Sequence, residues 1–151
     1  MTRFRTLTIA GLILLTIAAA GCKRTATEWP SPLGPSTFVL TFGLTASPNV
    51  LQATGQRPTS IITATVTENN EPAVGRTVFF TITNGPGEFT NYERLIAVKT
   101  DFNGIASTTY IGPTNYEIND DTTATIMARL QTSTPQSIAE TVDLMIIFTW
   151  R

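Results

Sequence analysis

The chain has 151 residues, of which 42% are hydrophobic and 14% are charged, a composition that favours one folded domain over a disordered chain. Its formal net charge is −1, and it contains no histidine and a single cysteine, Cys22. These counts exclude a histidine-based catalytic triad and any intrachain disulfide, and they argue against a nucleic-acid partner, which needs clustered Lys and Arg side chains.

The first 21 residues have the pattern of a secretory signal peptide. Arg3 and Arg5 precede an apolar stretch of 15 residues, Leu7–Gly21, that is interrupted only by two threonines. Because a bilayer-spanning helix needs about 20 apolar residues, this stretch is short for a transmembrane segment. The pattern predicts a cleaved leader at residues 1–21, and an uncleaved N-terminal anchor is the alternative.

The cysteine directly follows this leader. The residues Ala19-Ala20-Gly21-Cys22 resemble the lipobox of bacterial lipoproteins, with Ala19 in place of the usual leucine. The resemblance implies that Cys22 is acylated, for example with palmitate, and that two or three acyl chains anchor the mature protein to a membrane. Lys23 replaces the aspartate that retains lipoproteins at an inner membrane, which favours an outer membrane in a host that has one. An ordinary signal peptide with a residual thiol is the alternative.

Residues 22–36 are predicted to be a tether between this anchor and the folded domain. Three prolines and a glycine occur within Lys23–Thr37, and proline-rich chains extend by about 3.1 Å per residue. Trp29 lies in this tether, and we favour packing against the domain over ligand recognition as its role. The domain itself is expected at residues 37–151.

The rest of the chain is typical of β-strands. Threonine, which favours extended backbone, accounts for 25 of the 130 residues from Cys22 onward. Apolar and polar residues alternate in Thr59–Glu68, Arg76–Thr83 and Thr122–Leu130, as in half-buried antiparallel strands. The other predicted strands are Ser36–Ser47, Leu95–Thr100, Gly104–Gly112 and Ala139–Trp150.

This strand pattern predicts an all-β fold. Turn residues such as Pro48, Pro72 and Gly85 separate the segments, and no apolar repeat of helical length occurs. Seven to eight short strands in residues 37–151 indicate an immunoglobulin-like antiparallel β-sandwich, with an eight-stranded barrel as the alternative. The alternation places these side chains in the core: Ile62, Ala64, Val66, Val78, Phe80, Ile82, Ala124, Ile126 and Ala128.

Four segments together resemble the bacterial immunoglobulin-like domain, group 1, known from intimin and invasin. They are Leu44–Pro48, Ile62–Thr83, Thr100–Tyr110 and Thr123–Arg129. The third contains the family's T-D-x-x-G motif, of which the chain holds one copy, whereas family members usually form tandem arrays. The resemblance implies the same sandwich fold and an extracytoplasmic setting. It implies no catalytic residues.

The matching turns also have local physical reasons. Asn103-Gly104 is expected to provide a positive φ angle in a hairpin-like turn, and Gly75 to allow a tight turn at the start of a strand. Asn70 stands in a turn where the family usually has glycine before Pro72, and we expect it to adopt the left-handed conformation.

Catalysis and cofactors are not indicated. The paired carboxylates Glu68 with Glu71, and Asp120 with Asp121, are glycosidase candidates only because they occur close together, and they are better explained as turn residues. The segment Asn115–Asp121 clusters oxygen ligands that suit calcium, but it lacks the ordered pattern of a calcium loop. A solvated loop is the favoured interpretation, and ion binding is left open.

The C-terminal strand is apolar on both faces. Leu144, Ile146 and Phe148 are expected in the core, so Met145 and Ile147 point outward, where a sandwich strand is usually polar. A cover from the tether or a loop is favoured, and an edge that adds a strand from another protein or a second copy is the alternative. The candidate interface residues are Leu144, Met145, Ile146, Ile147, Phe148 and Trp150.

Together these features predict a non-enzymatic lipoprotein of the cell envelope. It would be held at a membrane through acylated Cys22 and would present one immunoglobulin-like module for binding or adhesion to a protein or glycan. The alternative is a structural accessory subunit or spacer of an envelope or secretion assembly that uses the C-terminal strand as its interface.

Overall fold

A computed structural model describes residues 39–132 and 138–150. The predictions for the signal peptide, Cys22, the tether and Trp29 lie outside these residues. Within them all regular structure is β-strand, and no helix is long and apolar enough to cross a bilayer. Ten strands are found there: β1 (Leu40–Ser47), β2 (Val50–Ala53), β3 (Thr59–Glu68), β4 (Glu71–Pro72), β5 (Thr77–Asn84), β6 (Glu88–Phe89), β7 (Leu95–Lys99), β8 (Ile105–Ile111), β9 (Thr122–Leu130) and β10 (Ala139–Phe148).

The ten strands form two sheets that pack face to face. The first sheet has the order β1-β3-β8-β6, with β4 paired to β3, and the second has the order β2-β10-β9-β5-β7. Neighbouring strands are antiparallel except for the parallel pair β2 and β10. The expected immunoglobulin-like sandwich is therefore confirmed. The barrel alternative is wrong, because the two sheets remain separate.

The chain changes sheets between β1 and β2. β1 pairs with β3 in the first sheet, and after Pro48 and Asn49 the strand β2 joins the second sheet. The hydroxyl of Ser60 donates a hydrogen bond of 2.7 Å to the carbonyl oxygen of Pro48 and holds this crossing against β3. As a result, Met145 and Ile146 pair with β2 on one side and with β9 on the other, and Ile147 and Phe148 pair with β2. This part of the C-terminal strand is not the open edge that one interpretation expected.

The core between the sheets contains all nine side chains that the alternation placed there. Eight of these nine side chains, on β3, β5 and β9, are completely shielded from solvent, and the ninth, Ile82, is 3% exposed. Tyr110 and Phe89, which the alternation did not single out, are among the largest fully buried side chains. Burial of each large apolar side chain contributes about 1.5–3 kcal/mol to folding.

The boundaries of the long strands follow the predicted ones. β3 and β9 have the expected bounds, whereas the C-terminal strand ends at Phe148 instead of Trp150. Three short strands, β2, β4 and β6, were not predicted. They contain four, two and two residues, too few for alternation to be recognised.

The turns have the expected backbone conformations. Asn70 has a φ angle of 67°, and Asn69 before it has 52°, so both central residues of the β3–β4 turn are left-handed, as in a type I′ hairpin. Gly75 and Gly104 have φ angles of 73° and 74°. A Cβ atom at Gly104 would overlap the carbonyl oxygen of Val66, so that position requires glycine for space as well.

The two ends of the sandwich carry different segments. We call the end where the described chain begins the proximal end; there Val39 and Asn69 exchange hydrogen bonds of 3.1 and 2.8 Å. The opposite end, the distal end, carries the long connection from β8 to β9 and the C-terminal residues after β10. The directions of the strands fix this division, because β1 and β2 run from the proximal toward the distal end and β10 runs parallel to β2.

Candidate binding surfaces

One arginine joins three segments at the distal end. The Nη1 and Nη2 atoms of Arg57 lie 2.6 Å from Glu88 Oε1 and 2.6 Å from Glu117 Oε1, respectively. Arg57 precedes β3, Glu88 begins β6, and Glu117 lies between β8 and β9. A planar guanidinium suits this geometry, because it offers donors on two sides to two carboxylates. The cluster therefore links the three distal segments through one side chain.

Glu117 is held from its other side by the start of its own turn. Its Oε2 atom accepts a hydrogen bond of 2.7 Å from the backbone amide of Thr114 and a second, of 3.2 Å, from the hydroxyl of Thr114. The amide of Thr114 first, and the hydroxyl and Arg57 after it, lower the pKa of this carboxyl group below its ordinary value of 4.5. Glu117 is therefore an anion at neutral pH.

The segment Asn115–Asp121 is tied to the C-terminal residues. The Nδ2 atom of Asn115 donates to the carbonyl oxygen of Thr149 over 3.2 Å, and the backbone amide of Phe148 donates to Asp121 Oδ1 over 2.8 Å. The carboxylates of Glu117 and Asp121 thus contact different groups, Arg57 and Thr114 for the first and the amide of Phe148 for the second. No group of three His, Cys, Asp or Glu side chains that could hold a metal ion occurs in residues 39–132 and 138–150.

A shallow cleft opens beside the arginine cluster. It has a volume of about 180 Å³ and is lined by Arg57, Pro86, Gly87, Glu88, Pro113 and Glu117. Two exposed aromatic side chains lie on neighbouring segments: Tyr116 is 85% exposed and Trp150 is 83% exposed. Sequence reasoning missed Arg57 and Glu88, because only the folded chain brings them to Glu117.

The six candidate interface residues of the C-terminal strand do not form one surface. Leu144 and Ile146 are completely buried in the core, and Met145 is 48% exposed on the opposite face. Ile147 and Phe148 are half-buried, so the prediction of a core position for Phe148 holds only in part. The rings of Phe148 and Trp150 meet edge to face at the distal end, with centroids 4.8 Å apart.

The exposed side of the second sheet nonetheless carries several apolar side chains. Val50 lies opposite Met145 in the β2–β10 pair, and these side chains are 44% and 48% exposed. Leu95 on β7 is also 48% exposed, while Phe79 and Met127 are half-buried between them. We call these five residues the outer face. Phe79 and Met127 stand at positions where the predicted alternation expects polar residues. These two exceptions were the feature of the sequence that could have indicated the outer face.

The carboxylates considered for catalysis do not form a site. Glu68 and Glu71 are opposite one another in the β3–β4 pair, but Glu68 forms an ion pair with Arg76 and Glu71 is exposed on the turn. Asp121 accepts the hydrogen bond from Phe148, and its neighbour Asp120 is exposed. These positions match the interpretation of both pairs as turn residues.

Comparison with known proteins supports the fold. No protein-family model and no curated protein matches the sequence. Among solved structures, the D00-D0 domain of intimin is similar, with a TM-score of 0.51, 19% identity, and coverage of 70% of this chain. The chain has an immunoglobulin-like fold. The matched part is 47% of the intimin structure, so this chain spans about half of its length.

Two further solved structures match with TM-scores below 0.5. AggA, the major subunit of aggregative adherence fimbriae type I from Escherichia coli, has a TM-score of 0.47 and 12% identity, with 72% of this chain and 95% of AggA covered. A conjugative transposon lipoprotein from Bacteroides eggerthii has a TM-score of 0.43 and 11% identity, with 68% of this chain and 95% of that protein covered.

Proposed function

We propose that this protein is a non-enzymatic lipoprotein of the cell envelope that presents an immunoglobulin-like module for binding. In this proposal Cys22 is acylated, residues 1–21 are then removed, and the acylated Cys22 anchors the protein to a membrane on its extracytoplasmic side. The distal loops then contact a protein or glycan partner.

The observation that supports this proposal is the arrangement of the two ends. The described chain begins at Val39 on the proximal end, which is the end that follows the tether. The Arg57 cluster, its cleft, Tyr116 and Trp150 occupy the opposite end. An anchored module of this kind exposes its loops away from the membrane, and fixed loops on a rigid sandwich are common binding surfaces.

The anchor is tested by labelling cells that express the full chain with radioactive or alkyne-modified palmitate. Incorporation into the native chain but not into the Cys22→Ser variant is expected, together with a diacylated or triacylated N-terminal peptide in mass spectrometry. A free thiol at Cys22, or an intact leader, would contradict the lipoprotein proposal.

The binding surface is tested by hydrogen exchange on the native protein, alone and with solubilised envelope, followed by crosslinking. Protection of Gly112–Asp121 and the distal loops supports the proposal. The double variant Tyr116→Ser and Trp150→Ser should lose the crosslinked partner, whereas Ile61→Thr should retain it. Ile61 is a suitable control because it is 56% exposed on the first sheet, outside both surfaces.

A second function is favoured by the outer face. Exposed apolar side chains at Val50, Leu95 and Met145 lie on one sheet surface, as in a subunit that packs against a partner. In this case the protein is an accessory subunit of an envelope assembly. Protection at the outer face instead of the distal loops, and loss of the crosslink in the Met145→Lys variant, would favour it over the first proposal.

A further inference from the structure

The proximal end presents three apolar side chains to solvent. Val39 is 53% exposed, Val74 is 61% exposed and Phe102 is 78% exposed. Each belongs to a different segment: the start of the described chain, the connection between β4 and β5, and the turn between β7 and β8. Single exposed apolar residues are ordinary, but three at the same end of a small sandwich form a candidate contact surface.

Hydrogen bonds hold the backbone segments that carry two of these side chains, Phe102 and Val74. The turn that carries Phe102 is closed by a bond of 3.0 Å from Gly104 N to Asp101 O, and Asp101 Oδ1 accepts from the amides of Asn103 and Ile105 over 2.8 and 2.9 Å. The side chain of Phe102 is therefore presented on a rigid turn.

The segment of Val74 is joined to the same turn. The amide of Gly75 donates to the carbonyl oxygen of Thr100 over 3.0 Å, and the hydroxyl of Thr100 donates to the carbonyl oxygen of Ala73 over 2.5 Å. Val74 stands between these two anchored residues. Its apolar side chain cannot turn into the core without breaking them, so it stays available for an external contact.

We propose that the proximal end docks on the surface of a lipid bilayer, with Phe102, Val74 and Val39 inserted at the boundary between the head groups and the acyl chains. This inference rests on the proposed function, in which Cys22 carries the acyl chains. Sixteen residues separate Cys22 from Val39, and a proline-rich chain of that length extends to about 50 Å. Because the described chain begins at Val39, the proximal end is the end of the domain to which this tether is joined.

The tether makes weak docking effective. A short tether gives an effective concentration on the order of millimolar, so that a few partly buried apolar side chains are sufficient. Charges around these side chains are mixed: Arg76 is paired with Glu68, and Lys99, Glu71 and Asp101 lie nearby in the chain. Docking is therefore driven by apolar contact, and it should depend little on anionic lipid or on salt.

The test uses the single cysteine of the chain. A chain that starts at Cys22 is coupled through that thiol to maleimide-headgroup lipid in phosphatidylcholine vesicles, with or without phosphatidylglycerol. The probe is Phe102→Trp in a background of Trp29→Phe and Trp150→Phe. The expected result is a blue-shifted emission that is quenched by lipids brominated in their tails, in both kinds of vesicle and at high salt.

Two variants distinguish the loss of docking at the proximal end from a general effect of removing an exposed apolar side chain. Val74→Ser should lower the ratio of docked to free domain by about threefold or more, whereas Ile61→Thr, which removes an exposed apolar side chain elsewhere, should not change it. Thermal unfolding confirms that each variant is folded. Equal emission from coupled and uncoupled chains, or an equal loss with Ile61→Thr, would overturn the proposal.

The experiments also distinguish docking on lipid from binding of a second copy of the chain, and they test docking separately from acylation of Cys22. A blue shift that grows with protein concentration in the absence of vesicles would assign this surface to a second copy of the chain and would overturn the lipid proposal. Chemical coupling replaces natural acylation, so failure of palmitate labelling at Cys22 contradicts the anchor alone. Docking of the coupled chain is a separate result.

Discussion

The phenolic oxygen of Tyr110 donates a hydrogen bond of 2.5 Å to the carbonyl oxygen of Pro86. Tyr110 lies on β8 in the first sheet, is completely buried, and reaches the turn between β5 and β6 that borders the distal cleft. The ring lies where a Cβ atom at Gly87 would be, so glycine is required there for space. This contact connects the core directly to the distal loops.

We expect Tyr110→Phe to lower the free energy of unfolding by about 1–3 kcal/mol, because the carbonyl oxygen of Pro86 loses its donor. Chemical denaturation measures this change. Since the phenylalanine ring still fills the core, the denaturant dependence of unfolding should be unchanged, and hydrogen exchange should increase first in the turn of Pro86. An unchanged midpoint would contradict the role of this bond.

Alkaline pH should destabilise the protein through the same residue. Burial, opposed in part by Arg94, raises the pKa of Tyr110 above its ordinary value of 10.0. The native state then keeps the proton that the unfolded state releases, so stability is unaffected below about pH 10 and falls as the pH rises above that value. Denaturation of the native protein and of Tyr110→Phe across this range should show a steeper loss for the native protein.

Two glycines with nearly equal φ angles should respond differently to alanine. Gly75 has open space around its Cβ position, so Gly75→Ala should cost about 1–2 kcal/mol from the backbone conformation alone. Gly104→Ala adds the overlap with the carbonyl oxygen of Val66 and should cost about 1–3 kcal/mol more. Thermal unfolding of both variants provides the comparison, and equal losses would show that the turn relaxes.

Two buried threonines should give opposite results when changed to valine. The hydroxyl of Thr100 donates to Ala73 O and accepts from the amide of Arg76, so Thr100→Val should lower stability by about 1–3 kcal/mol. The hydroxyl of Thr108 is buried without a hydrogen-bond partner in the described residues, and Thr108→Val should raise stability by about 1 kcal/mol. Denaturation midpoints that move in the same direction for both would contradict this assignment. Thr100→Ser, which keeps the hydroxyl, is the control.

Acid should loosen the distal turn at Glu117. Because the folded state lowers the pKa of this carboxyl group, its contribution is present above the ordinary value of 4.5 and is lost as the pH falls through the lower folded value. The effect should be below about 1 kcal/mol, since the side chain is largely exposed. The protection of the Thr114 amide, relative to intrinsic exchange at the same pH, should fall with acid in the native protein and should not change with pH in Glu117→Gln.

The alternation of apolar and polar residues was sufficient to predict the long strands and their buried faces. In β3, β5 and β9 one face meets the opposite sheet and the other meets water, so local sequence and tertiary environment agree. The turns at Asn70 and Gly104 were predictable for a similar reason, since a positive φ angle restricts the residue type wherever it occurs.

The order of the strands in the sheets and the clusters formed by the loops depend on contacts between distant segments of the chain. β2 has only four residues, and its place beside Met145–Phe148 follows from the crossing at Pro48. The open edge that was the alternative interpretation of the C-terminal strand is therefore filled there by β2. Arg57 meets Glu88 and Glu117, which are 31 and 60 residues away, only because three loops reach the same end of the sandwich. Side-chain alternation is a property of neighbours in the chain, whereas strand order and loop clusters depend on long-range packing of the two sheets.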